Sequence, residues 1–127
     1  MVLTRLLKAK IHNATVTETQ VDYHGSIRVD ADLLKASGIL PNEAVLVVDC
    51  DNGNRFETYV IFGDHGSGVI GVYGAAALLT EPGHRVIIMS FVQADEAGLS
   101  GHRSRVVLTD AKNRATDVIT HPTRLEA

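Results

Sequence analysis

The chain has 127 residues, 45% of them hydrophobic and 21% charged, a balance that suits one compact domain with a real core and excludes a disordered chain. Its net charge is −3 and its 12 basic residues are scattered, so there is no basic stripe of the kind that binds nucleic acid. No apolar run approaches the ~20 residues of a membrane helix, Lys8 and Lys10 interrupt any signal-peptide core, and the single cysteine, Cys50, rules out an intrachain disulfide framework, leaving a cytoplasmic protein as the simplest expectation.

Thr15-Val16-Thr17 alternates with polar neighbours and predicts a strand. Asp30 or Asp32 can cap a short helix through Leu33-Leu34-Lys35-Ala36, with Gly38 at its C-terminus and Pro41 just beyond. Val45-Leu46-Val47-Val48 and Phe56 to Phe62 are β-branched and aromatic runs. Asp51-Asn52-Gly53 lies between them, and its Asn-Gly pair favours a tight hairpin. Val69-Ile70-Gly71-Val72 predicts another short strand, and Gly74 to Leu79 a turn of helix. Val86 to Val92 is almost wholly apolar and predicts a strand buried on both faces. Val106-Val107-Leu108 and Thr116 to Ile119 form a late pair across Asp110 to Arg114, and about 120–127 reads as a loose tail. Many short strands with few helices predict a mainly β domain over 1–127, closed into a small barrel that hides its strand edges. With aromatics at 5% and no tryptophan, its core must be built from Val, Ile, Leu and Ala.

Gly25-Ser26 stands out because of its company. Lys10-Ile11-His12 precedes it and Tyr23-His24 adjoins it. Asp30 to Leu34, Gly38-Ile39-Leu40, Asn52-Gly53-Asn54-Arg55, Thr58-Tyr59, Gly66 to Gly71 and Gly74-Ala75-Ala76-Ala77 follow. In this order and spacing the chain resembles the pyruvoyl-dependent aspartate 1-decarboxylases, from about Thr4 to Val92 and more weakly to Ile119. The resemblance implies a six-stranded double-psi β-barrel with short helices. It also implies autocatalytic cleavage of a zymogen between Gly25 and Ser26 into a β chain, 1–25, and an α chain, 26–127. Ser26 then becomes a covalent pyruvoyl group that forms a Schiff base with the substrate amine. The implied reaction turns L-aspartate into β-alanine and CO₂ in pantothenate and coenzyme A synthesis. A homotetramer with sites between neighbouring subunits is implied, and maturation is either spontaneous or helped by a maturation factor.

The chemistry requires such a group, because no side chain is a good sink for the electrons left when CO₂ departs. Glycine at position 25 leaves the scissile carbonyl open and tolerates a strained backbone. The resemblance assigns Thr58 to holding that carbonyl during cleavage and Tyr59 to protonating the carbanion. It pairs Lys10 and Arg55 with the two substrate carboxylates, without deciding which takes the α-carboxylate. The N–H groups of Gly74, Ala75 and Ala76 can meet a carboxylate as well. His12, on one strand face with Lys10, and Tyr23 match family positions near the site. Thr58 and Tyr59 should point to opposite faces of their strand, so both serve one site only if the backbone bends or different subunits use them.

Four positions depart from the resemblance. Tyr73 stands where asparagine is usual, Leu78 and Asp22 where histidines are common, and His65 where an arginine precedes Gly66-Ser67-Gly68. Tyr73 keeps two alternatives in view, a pyruvoyl enzyme with a shifted amino-acid preference and an uncleaved barrel that only binds or supports. No metal is expected, because the six histidines lack ligand spacing. Cys50 lies between Asp49 and Asp51, which disfavour a thiolate nucleophile.

Overall fold

The computed structural model describes residues 1–124. Among the described residues nine strands form one hydrogen-bonded sheet, in the order β2-β6-β3-β5-β4-β7-β1-β8-β9. They are β1 Thr4–Thr15, β2 Glu18–Gln20, β3 Ser26–Asp30, β4 Ala44–Asp49, β5 Arg55–Gly63, β6 Ile70–Tyr73, β7 Arg85–Ala94, β8 Arg103–Thr109 and β9 Ala115–Pro122. Helix α1, Ala31–Ser37, follows β3, and α2, Glu96–Leu99, follows β7; Gly74–Leu79 is a 3₁₀ turn.

The core is the inward row of seven strands, all but β2 and β9: Ala9 and Ile11, Ile27 and Val29, Val45 and Val47, Val60, Ile70 and Val72, Val86 and Ile88, and Val107, all within 1% of full burial. Each such side chain contributes roughly 1.5–3 kcal/mol by leaving water. Polar anchors hold the connections. The Asp30 carboxylate accepts from the N–H of Asp32, Gly66 and Gly68, so one side chain caps α1 and shapes the loop before β6. Gly38 closes α1 at φ 79°.

The mainly β reading holds, as do the Asn52-Gly53 hairpin, with Gly53 at φ 77°, and the late pair, in which Val107 faces Val118. Among the described residues the sheet has nine strands, and no ladder joins its two ends, β2 and β9. Three expectations need correction. The strand at 15–17 stops at Thr15, because Val16 bonds His84 O and Thr17 bonds Ile70 O, so the chain passes from one ladder to another. β7 alternates instead of being buried on both faces: Val86, Ile88 and Ser90 point inward, while Ile87, Met89 and Phe91 are partly exposed. The tail expected from about 120 is not loose at its start, because Thr120, His121 and Pro122 pair with Arg105, Ser104 and Arg103; residues 125–127 lie outside the described residues.

Candidate active site

Ser26 is the first residue of β3 and is 1% exposed, whereas the residues 21–25 before it are all exposed. The Gly25–Ser26 bond thus marks the passage from a surface turn into a buried strand. The Ser26 hydroxyl donates to His24 O at 3.1 Å. Ser26 faces Tyr73 across the antiparallel β3–β6 pair. Gly25 has no positive φ, so the strain anticipated there is absent; only Tyr73 O, at 4.0 Å, lies near the point a β-carbon would occupy. The constrained glycine is Gly74, at φ 80°. A β-carbon on it would stand 2.6 Å from Gly25 Cα and 2.9 Å from Gly25 N. The 3₁₀ turn therefore presses its first residue against the backbone at the scissile bond.

The ladders also decide which candidates share a face. Parallel pairing of Ile27 with Val60 puts Tyr59 level with Ser26, one step back, and Thr58 level with Gly25. Thr58 faces the buried Val45 on the core side, and Tyr59 faces the exposed Ala44 on the outer side. The expected opposition of these neighbours is present. Lys10 pairs with Met89, Met89 with Leu46, and Leu46 with Glu57, which alternates with Arg55 and Tyr59. Lys10, Arg55, Tyr59, Ser26 and Tyr73 therefore all lie on the outer face. Within one chain Ser26, Tyr59 and Tyr73 lie on adjacent strands. Lys10, on β1, is four strand positions from β3 in the ladder order.

Among the described residues neither Lys10 nor Arg55 forms an ion pair, although Lys8 does, with Glu43 at 2.8 Å. His12 is half-buried beside Lys10's position and its Nδ1 has no hydrogen-bond partner. The hairpin before Arg55 is tied to the 3₁₀ turn, because the side-chain amides of Asn52 and Asn54 both donate to Leu79 O at 3.0 Å. Behind the turn, Asp49 is fully buried. It accepts from the N–H of Asp51 and Asn52 on one oxygen and from Thr80 and His84 on the other. Gly74 is buried, Ala75 exposed and Ala76 between; Leu78 is exposed.

Glu18, Gln20 and Arg28 escaped the sequence reading. A cavity of about 200 Å³ is lined by Glu18, Gln20, Tyr23, Arg28 and Tyr73. The Arg28 guanidinium lies 5.7 Å from the centre of the Tyr73 ring, and its Nε is buried without a partner. The Tyr73 hydroxyl lies over Gly71, where a β-carbon would come within 2.6 Å of it and 3.1 Å of Glu18 Cγ. Burial first, and the Glu18 carboxylate second, push the Tyr73 phenol above its ordinary pKa. This cluster depends on cross-strand register, which no local sequence signal reveals.

Asp49, Asp51 and His84 bring potential metal-ligand atoms within 4.8 Å of one another, a grouping the sequence reading did not anticipate. Both Asp49 oxygens are already taken by protein donors, and Asp51 accepts from the Arg85 N–H, so the grouping acts as a structural knot.

The family model described as aspartate decarboxylase matches residues 1–116. An aspartate 1-decarboxylase of Neisseria meningitidis is 53% identical over 116 residues, covering 91% of this chain and 91% of the relative. A second, from Pelotomaculum thermopropionicum, is 52% identical over 113 residues, covering 89% of this chain and 86% of the relative.

Proposed function

This chain belongs to the aspartate decarboxylase family, and from that premise we propose how it works. It is a carboxy-lyase that converts L-aspartate to β-alanine and CO₂, the step that feeds pantothenate synthesis. The observation that carries the site is the Gly25–Ser26 junction, where an exposed glycine, a buried serine and the close approach of Gly74 coincide.

The residues at this junction suit conversion of Ser26 to a pyruvoyl group. Ser26 Oγ attacks the Gly25 carbonyl carbon. The peptide C–N bond breaks, and the freed nitrogen takes a proton, leaving an ester. Loss of the residue 26 α-proton then expels the Gly25 carboxylate, and water replaces the nitrogen, which leaves as ammonia. The two products are 1–25 and 26–127. Once formed, the pyruvoyl group supplies the electron sink that decarboxylation needs.

Position supports the remaining roles. Thr58, level with Gly25, steadies the scissile carbonyl during the acyl shift. Tyr59 shares the face of Ser26 and is exposed enough to return a proton to substrate carbon. Lys10 and Arg55, free of carboxylate partners among the described residues, hold the two substrate carboxylates. Gly74, Ala75 and Ala76 let one of those carboxylates approach the backbone. The outward face and the span between Lys10 and Ser26 support a site completed between two copies of the chain, within a homotetramer.

The six contiguous strands β6-β3-β5-β4-β7-β1 are read as the double-psi barrel. Supporting that reading, both the N–H and the hydroxyl of Thr17, just past β1, bond Ile70 at the start of β6.

Denaturing intact-mass measurement is the test. Two fragments split at position 25/26, the larger lighter than a serine-started chain by the change from amine to ketone, are expected. Ser26→Ala should give one intact chain with no decarboxylation of aspartate. A wild-type chain that stays whole on long incubation would overturn the proposal.

A further inference from the structure

The turn 21–25 carries the scissile bond but is weakly held. Outside the strand ladders no backbone hydrogen bond ties it down among the described residues. Besides the Ser26 hydroxyl on His24 O and Gly74 against Gly25, aromatic rings touch it. The Tyr23 ring meets the Tyr73 ring edge-on at 5.0 Å, and His24 meets Tyr23 edge-on at 5.6 Å. Tyr73 is itself fixed: it is 4% exposed, lies over Gly71 beside Glu18, and carries the Arg28 guanidinium above its ring. Its hydroxyl is directed along β6 toward Gly71, which faces Arg28, and away from Ser26, which faces Tyr73 itself.

We infer that Tyr73 is a positioning residue for self-cleavage, a fixed ring that clamps Tyr23 and so holds the 23–25 turn against Gly74. The inference rests on the cleavage proposed above. An acyl shift proceeds only from conformers with Oγ close to the carbonyl carbon, so its rate follows the fraction of time the turn spends in place. Asparagine at position 73 would offer a carboxamide but no ring. This chain instead has a ring anchored by two charged neighbours, and its clamp acts through Tyr23 rather than on the reacting atoms.

The experiment follows the cleavage rate of freshly purified full chain by intact mass, with far-UV circular dichroism as the fold control. Tyr73→Ala and Tyr23→Ala should each slow cleavage about tenfold, which is about 1.4 kcal/mol of positioning. Tyr73→Phe and Tyr23→Phe should restore it, because the ring does the clamping. The double alanine variant should be no slower than either single one. Tyr23 is 46% exposed, so its truncation leaves the fold standing even if Tyr73→Ala does not. Wild-type cleavage rates in Tyr23→Ala would overturn the clamp alone, as would slowing that simply multiplies in the double variant. A wild-type chain that never cleaves would instead defeat the functional proposal, and the clamp with it.

Discussion

Gly74 comes so close to Gly25 that a β-carbon on it would lie 2.6 Å from the Gly25 Cα and 3.4 Å from Tyr23 O. The atoms in the way are backbone, which cannot swing aside as a side chain end can. The position also sits at φ 80°, where an L side chain costs about 1–2 kcal/mol. Gly74→Ala is therefore expected to lose about 2–4 kcal/mol of stability in urea melts. It should also leave the chain largely uncleaved by intact mass. A stable, fully cleaved variant would show that the contact does not set the scissile geometry.

Tyr59 separates maturation from turnover. It lies level with Ser26 on the outer face, while cleavage is assigned to Thr58 on the inner one. Tyr59→Phe should cleave normally and keep its fold, since the ring stays and the hydroxyl is exposed. Its kcat should fall roughly 10²–10⁴-fold, the range for loss of a general acid. Unchanged kcat in the cleaved variant would remove Tyr59 as the proton donor.

Much of this was legible in the sequence, and the limits have physical causes. Asp30 before Ala31 and Gly38 after Ser37 announce α1, and Asn52-Gly53 announces the hairpin, because caps and turns are written in adjacent residues. The shared face of Lys10 and His12 follows from alternation within one strand. β3 was missed because Ser26-Ile27-Arg28-Val29-Asp30 is short, half polar and preceded by a turn. Nor could sequence place Glu18, Arg28 and Tyr73 together. That meeting is set by β2 pairing with β6 at Glu18–Gly71 and β3 with β6 at Arg28–Gly71.

The Asp49–His84 pair gives the fold a pH window. Burial alone would raise the Asp49 carboxyl, but bonds from His84, Thr80, Asp51 and Asn52 outweigh it and hold the group below the usual carboxylate range. The bond to Asp49 raises His84 above its ordinary value of 6.5, against the opposing effect of desolvation. The Asp49 contribution is present above the ordinary carboxylate range and is lost as pH falls through its lowered value. The His84 contribution is complete below about pH 6.5 and is lost as pH rises through the raised value. Urea midpoints should therefore peak at mildly acidic pH and fall on both sides. His84→Gln should flatten the alkaline side, and Asp49→Ala should cost about 3–5 kcal/mol by stranding four donors. An alkaline limb that is unchanged in His84→Gln would show that another group sets it.

Lys10 offers the sharpest test of where the site is completed. It shares the outer face with Ser26 but lies four strand positions away in its own sheet. If it serves the Ser26 of a neighbouring copy, two defective chains can repair each other. Lys10→Ala retains Ser26 and should cleave, yet bind aspartate poorly; Ser26→Ala retains Lys10 but has no reactive group. Co-expressed at equal levels, they would form sites that join Ser26 from one chain to Lys10 from the other. A random mixture should recover about a quarter of the wild-type rate per chain, because half the chains carry Ser26 and half of their neighbours carry Lys10. If Lys10 serves its own chain, every Ser26 in the mixture lacks its lysine, and the rate stays at that of Lys10→Ala diluted twofold by inert chains.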